Sequence, residues 1–258
     1  MRFRSIGAML LVFLLASASG LAQSAAEEYY DPAAMRESHE RLREATGGQV
    51  ITFVQADRLE NVRLGDSNGV LWEGQGWIGS DYTRLWIKTE GERYSSPAGL
   101  EDAEIQALYS RAVSPFFDFQ AGVRQDLVPG EKRTFGVIGF QGLAPYMFEL
   151  DTALFVSHEG DVSARAEVEY EILFTQRLIL QPRAEVNIAF QDVPRLDVGR
   201  GLSTVEMGAR LRYEIKRQFA PYIGVSWARS VGRTADFVSS RGDDPSSLII
   251  VGGLRLWF

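Results

Sequence analysis

The sequence predicts an all-β protein, a transmembrane β-barrel of about twelve antiparallel strands behind a short helical segment, and three observations carry the prediction. The first is the closing strand. Leu248, Ile250, Leu254, Leu256 and Phe258 alternate with Ile249, Val251, Gly253, Arg255 and Trp257, a period of two that turns one set toward lipid and ends on an aromatic residue, as outer-membrane strands do. The second is the opening, where Arg2 and Arg4 precede an apolar run from Met9 to Leu15 and small residues lead into Gly20-Leu21-Ala22. That order reads as a removed signal peptide over residues 1–22, because the run is about half the ~20 residues an anchoring helix needs. The third is that from residue 51 onward short alternating runs are joined in turn by tight turns and longer polar loops.

Composition agrees once the two faces of a barrel wall are considered. Hydrophobic residues make up 45% and charged residues 24% of the 258 positions, and the mean hydropathy of -0.10 is that of an ordinary water-soluble chain. Strands that are apolar outside and polar inside cancel in any such average. The absence of cysteine excludes disulfides and thiolate metal sites, and the formal net charge of -7 argues against nucleic acid as a partner.

The strands are expected at 51–62, 70–80, 82–92, 101–112, 115–127, 133–143, 145–157, 161–173, 177–190, 203–215, 219–231 and 247–258. Tight connections fall at Ser80-Asp81, Ser114-Pro115, Ala144-Pro145, Thr175-Gln176 and Arg217-Gln218, and long ones at Arg93 to Leu100, Gln191 to Leu202 and Gly232 to Ser247. Short turns belong in the periplasm and long loops outside, which puts both termini in the periplasm. Phe116, Tyr146, Phe174, Tyr213, Phe219, Trp257 and Phe258 then gather at the periplasmic strand ends as one interfacial girdle.

The domain plan is a leader over 1–22, a periplasmic segment over 23–50 and an outer-membrane barrel over 51–258. Within the second, Asp31 to Ala45 reads as a helix with Asp31 as N-cap and Pro32 in the first turn. Met35 and His39 lie four apart on one face of it, a plausible half of a copper site or simply part of a solvated helix.

Strict alternation assigns the charged residues of the wall to the lumen. Arg124, Arg165, Glu167, Glu169, Glu171, Arg183, Glu185, Arg210 and Arg212 all point inward on this register. Two readings of that lining stay open: a salt-bridged filling that closes a narrow barrel, or a conduit whose row Glu167, Glu169 and Glu171 attracts cations. Met147 with Glu149 and Asp151 is an inward run that joins a thioether to two carboxylates, hence a further candidate metal site, whereas Met207 belongs to the lipid face. No catalytic set is expected, since His39 and His158 are the two histidines and no G-x-S-x-G motif accompanies them.

Several long blocks resemble one family: GWIGSDYTRLWIKTEGER (76–93), EDAEIQALYSRAVSPFFDFQAGVRQDL (101–127), GFQGLAPYMFELD (139–151), ILFTQRLILQPRAEVN (172–187), GLSTVEMGARLRYEIKRQFAPYIGVSW (201–227) and RTADF (233–237). Together they are similar to the copper resistance protein B family. The resemblance implies an outer-membrane barrel of a Gram-negative cell that binds, sequesters or passes copper ions beside a periplasmic multicopper oxidase, and by analogy with other small barrels it is expected to be a monomer. The rival expectation is a small diffusion porin or a structural barrel without copper handling. One departure stands out: many members of that family carry an amino-terminal tract dense in Met and His, and residues 23–50 hold only Met35 and His39 of those types.

Overall fold

The computed structural model describes residues 31–46, 49–64, 67–94, 100–127 and 132–258; the leader expected over 1–22 lies outside them. The chain divides into two units, residues 1–50 and 51–258. In the first, helix α1 (Pro32–Thr46) starts at Asp31, whose side-chain oxygen accepts the Ala33 N–H at 3.4 Å. An Arg41–Glu37 pair one turn apart lies on its exposed surface.

The second unit is a single antiparallel sheet closed on itself. Its strands are β1 (Ile51–Leu64), β2 (Ser67–Gly79), β3 (Thr83–Tyr94), β4 (Leu100–Ala112), β5 (Phe117–Asp126), β6 (Thr134–Ala144), β7 (Phe148–Ser157), β8 (Val162–Glu169), β9 (Ile172–Leu173), β10 (Leu178–Ala189), β11 (Gly201–Tyr213), β12 (Phe219–Ser230) and β13 (Ser246–Trp257). Neighbours pair in chain order, and β13 closes against β1 with Gln55 opposite Trp257. Phe258 seals that seam, since its N–H donates to Val54 O at 2.8 Å and its carbonyl accepts from Val54 N at 3.0 Å.

β8 and β9 both pair with β10 and are two pieces of one wall strand, so the barrel has twelve. Pro182 explains the break. Tyr170 N–H donates to Pro182 O at 3.1 Å, but proline has no N–H with which to return the second bond of an antiparallel pair. The expected strand 161–173 is therefore interrupted at Tyr170 and Glu171.

The connections 80–82, 113–116, 145–147, 174–177 and 214–218 lie at the end of the barrel where β1 begins and β13 finishes, and the others lie at the opposite, loop end. The loop end is less uniform than expected, because the 158–161 connection is as short as the turns. Its longest connection also holds a helix the sequence did not announce, α2 (Gly232–Ser240). Tertiary contacts fix it: Gly199 N–H donates to the buried Thr234 Oγ1 at 2.9 Å, and Arg233 pairs with Asp192. The outer face is apolar and exposed along the strands, for example at Leu85, Ile87, Val123, Ile138, Ile223, Val225, Leu248 and Ile250, as a wall facing hydrocarbon requires. Met207 belongs to this face. The aromatics Phe116, Tyr146, Phe174, Tyr213 and Phe258 are exposed around the end where β1 begins and β13 finishes.

Candidate functional site in the lumen

Inward side chains alternate with these lipid-facing ones, so a wall of this sequence has to bring its charges together inside. Arg183 on β10 contacts Glu167, Glu185 at 2.6 Å, Glu206 at 3.2 Å and Glu169 at 3.5 Å. Arg58 bonds Glu73 on β2 and reaches Glu206 on β11. Arg210 holds the buried Glu60 through Nε at 2.5 Å and Nη2 at 3.3 Å, and Tyr222 OH donates to the same carboxylate at 3.1 Å. Nearer the termini, Glu171 receives Arg212 at 2.7 Å and Arg255 at 3.0 Å.

Other pairs span the lumen. Lys88 on β3 reaches Asp151 on β7 at 2.5 Å. Arg165 on β8 reaches Glu90 on β3 at 2.6 Å and Glu104 on β4 at 3.2 Å. Arg124 completes this level by binding Glu104 at 2.5 Å and Asp126 at 2.7 Å. Arginine suits such positions because its planar fork serves two acceptors at once and stays charged when buried.

Below these pairs lies a cavity of about 630 Å³ that extends toward the terminal end, where Pro115, Phe116 and Leu143 line it. Its lining stops short of the loop end: it includes Glu90 but not Glu92, Glu104 but not Asp102, and Arg165 but not Ser163. Val62, Tyr94 and Val251 pack together outside this lining, and Phe135 packs with Phe155, Val137, Trp86 and Leu108, the last four of which line the cavity itself. The guanidinium of Arg124 lies 5.0 Å from both the Phe135 and Phe155 rings.

The lining carries nine carboxylates against six basic side chains. The excess sits on β7 and β8, where Glu149 is directly opposite Glu169 and Asp151 directly opposite Glu167. Like charges in direct cross-strand register repel. Asp151 is answered by Lys88, Glu167 by Arg183 and Glu169 by Gln181 at 2.6 Å. Glu149 is exposed, and its carboxylate has no hydrogen bond or ion pair among the described residues.

Arg124, Arg165, Glu167, Glu169, Glu171, Arg183, Glu185, Arg210 and Arg212 thus all sit in the lumen network. Of the three residues grouped as a further metal candidate, Glu149 and Asp151 line the cavity, and Met147 does not. Pro145 opens a 3-10 turn in which Tyr146 and Met147 take φ of 67° and 68°, so β7 starts at Phe148 and Met147 is exposed outside the lining. Met35 and His39 are on α1, in the other unit. Among the described residues no three His, Asp or Glu side chains converge as a preformed metal site.

Several charged lumen residues escaped the sequence reading, among them Asp57, Arg58, Glu60, Glu73, Glu104 and Glu206. Asp57 and Arg58 are consecutive yet both face inward, because β1 bulges between Ala56 and Arg58. The signal was the break in period itself, with polar residues at 55 and 57 and then at 58 and 60.

A family model described as copper resistance protein B precursor matches residues 50–258. Copper resistance protein B of Escherichia coli is 47% identical over 206 residues, covering 80% of this chain and 69% of the relative. A copper resistance protein B homolog of Pseudomonas syringae pv. tomato (strain ATCC BAA-871 / DC3000) is 44% identical over 207 residues, covering 80% and 70%. Among solved structures the NanC porin superposes with a TM-score of 0.53 at 11% identity, over 81% of this chain and 100% of that one, a likeness of fold alone.

Proposed function

We infer the mechanism from one premise: the chain belongs to the copper resistance protein B family, and its place is the outer membrane of a Gram-negative cell. Copper resistance is the function; reception of copper ions in the lumen cavity, from the periplasmic side, is our proposal for how it is carried out. The observation that carries the proposal is the acidic wall of β7 and β8, with two directly opposed carboxylate pairs and Glu149 left without a partner. A cation entering there relieves the repulsion that the register imposes.

The donors favour the divalent ion. Among the described residues the cavity lining offers carboxylates and amides and no Met or His, a hard set that suits Cu(II) over Cu(I), and Cu(II) stands at the top of the affinity order of divalent ions for any given set of donors. Glu149 and Asp151 would be the first contacts at the open end. Met35 and His39 on α1 offer softer ligands for a separate site in the other unit, and a periplasmic multicopper oxidase would be the working partner of a monomeric barrel. The ion-paired closure of the lumen speaks against a general diffusion porin.

Titration of the refolded barrel in detergent with Cu(I) and Cu(II) tests the proposal, using the mature chain, a version lacking residues 23–50, and the double variant Glu149→Gln/Glu169→Gln. The expected result is Cu(II) binding that survives the truncation and weakens in the double variant. Binding that vanishes with residues 23–50 moves the site to Met35 and His39. No binding in any form leaves a structural barrel.

A further inference from the structure

We propose that Arg165 is the latch of the lumen and sets its charge selectivity, an inference that rests on the reading of the barrel as a path for ions. Glu90 and Glu104 are directly opposite on β3 and β4, a like-charge pair that repels unless a cation lies between. That cation is Arg165, which comes from β8 across the lumen, with Nη1 at 2.6 Å from Glu90 and Nη2 at 3.2 Å from Glu104. The cavity ends at this level on all three strands. The guanidinium therefore lies where the open space stops and bars the way to the loop end.

The same side chain has a second set of acceptors on its own side of the barrel. Its Nε lies 3.3 Å from Asn187 Oδ1 and 3.7 Å from Glu185 Oε1 on the adjacent strand β10. Rotation about the side-chain torsions transfers the two Nη groups from Glu90 and Glu104 onto Glu185 without leaving the charge unpaired. A buried arginine with two alternative carboxylate partners is a two-state element that moves without backbone change. In the swung arrangement Arg124 still neutralises Glu104, while Glu90 is exposed to the path and favours cations.

Conductance in planar bilayers tests this in KCl alone, without copper, so that the outcome does not depend on where copper binds. The wild-type barrel is expected to conduct weakly, Arg165→Ala several-fold more, and the reversal potential in a KCl gradient is expected to shift toward K⁺ because Glu90 loses its counter-charge while Arg124 stays on Glu104. Arg165→Lys keeps the charge and loses the fork, so its conductance should rise with little shift in selectivity. If Arg165→Ala does not reach the folded, heat-modifiable form, Glu90→Gln replaces it and is expected to raise conductance without the shift toward K⁺. A folded Arg165→Ala barrel with wild-type conductance and wild-type reversal potential overturns the latch. Loss of Cu(II) binding in the titration above would overturn the copper reading and leave this result standing.

Discussion

Glu60 and Arg210 give the sharpest test of how the lumen is held together. Glu60 is 1% and Arg210 5% exposed, and the pair is joined by two hydrogen bonds with Tyr222 as a third donor. Glu60→Ala removes the partner and leaves a guanidinium buried against Tyr222 and the wall, a loss expected at about 3–5 kcal/mol. Glu60→Leu/Arg210→Met fills similar space with apolar groups and is expected to be neutral, or more stable by about 1–4 kcal/mol, because neither charge then has to be desolvated. Tyr222→Phe removes one bond to a charged acceptor, about 1.5–3 kcal/mol. As a control, Arg233→Ala deletes a rim pair with Asp192 in which the arginine is 61% exposed, worth about 0–1 kcal/mol. Equilibrium unfolding by urea in lipid vesicles, followed by tryptophan fluorescence, gives all four values. A single-variant loss at Glu60 no larger than that of Arg233→Ala would refute the reasoning, since it would mean that water reaches the pair and screens it.

Four further outcomes follow from particular contacts. A Cβ at Gly122 would stand 2.0 Å from Ala107 O, whereas at Gly252 it would meet nothing within 4 Å, so Gly122→Ala is expected to cost about 1–3 kcal/mol and Gly252→Ala under about 0.5 kcal/mol in the same unfolding assay. Ile250 is exposed on the lipid face opposite Val225; Ile250→Arg there should destabilise by about 2–4 kcal/mol, and a smaller change would place it near an interface. Deletion of Phe258 removes both bonds to Val54 at the closing seam and should slow folding into vesicles, read as a lower yield of the heat-modifiable band. Burial raises the pKa of Asp161, but a hydrogen bond from Gln191 and the charges of Arg133 and Arg195 outweigh it and hold the group below its ordinary 3.8. A depressed pKa stabilises above the ordinary value and stops doing so as pH falls through the lowered one. Protease nicking of the 190–200 loop should therefore stay constant from pH 7 to 5 and rise only below about pH 4; a rise near pH 6 would contradict the assignment.

What could be read from sequence is what the bilayer enforces. Charges cannot face hydrocarbon, so the alternations Arg165, Glu167, Glu169 and Arg183, Glu185 assign an inner face without reference to any partner. Neighbours in this sheet are neighbours in sequence. Three kinds of feature were hidden for physical reasons. A bulge in β1 lets Asp57 and Arg58 share a face that a strict period of two forbids. The turn at Pro145 spends Tyr146 and Met147 in left-handed backbone, so counting inward from residue 145 put Met147 in the wrong place. The segment Gly232–Ser240 has glycine and serine where a helix prefers alanine, and it is helical because Thr234 and Arg233 are anchored on the neighbouring loop.

The pairs that cross the lumen were hidden for another reason, which bears on how such a barrel can handle a metal. Arg165 and Glu90 stand 75 positions apart and meet only because the sheet closes, so no local pattern could announce them. A lumen filled with arginine and carboxylate pairs resists water-filled conduction, yet its carboxylates are potential ligands, and most of them are held by a partner that can be exchanged. The ordering of those partners is uneven. Glu60 and Glu104 are each gripped by arginine deep in the wall, whereas Glu149 at the open end is held by nothing and Glu169 by one amide and a 3.5 Å ion contact. On the proposed reading an incoming cation would meet its least costly ligands first and its most tightly paired ones last, with Arg165 at the boundary between them. On the same reading that gradient would favour a divalent ion, which brings two charges to a pair of carboxylates, and it requires no preformed chelate.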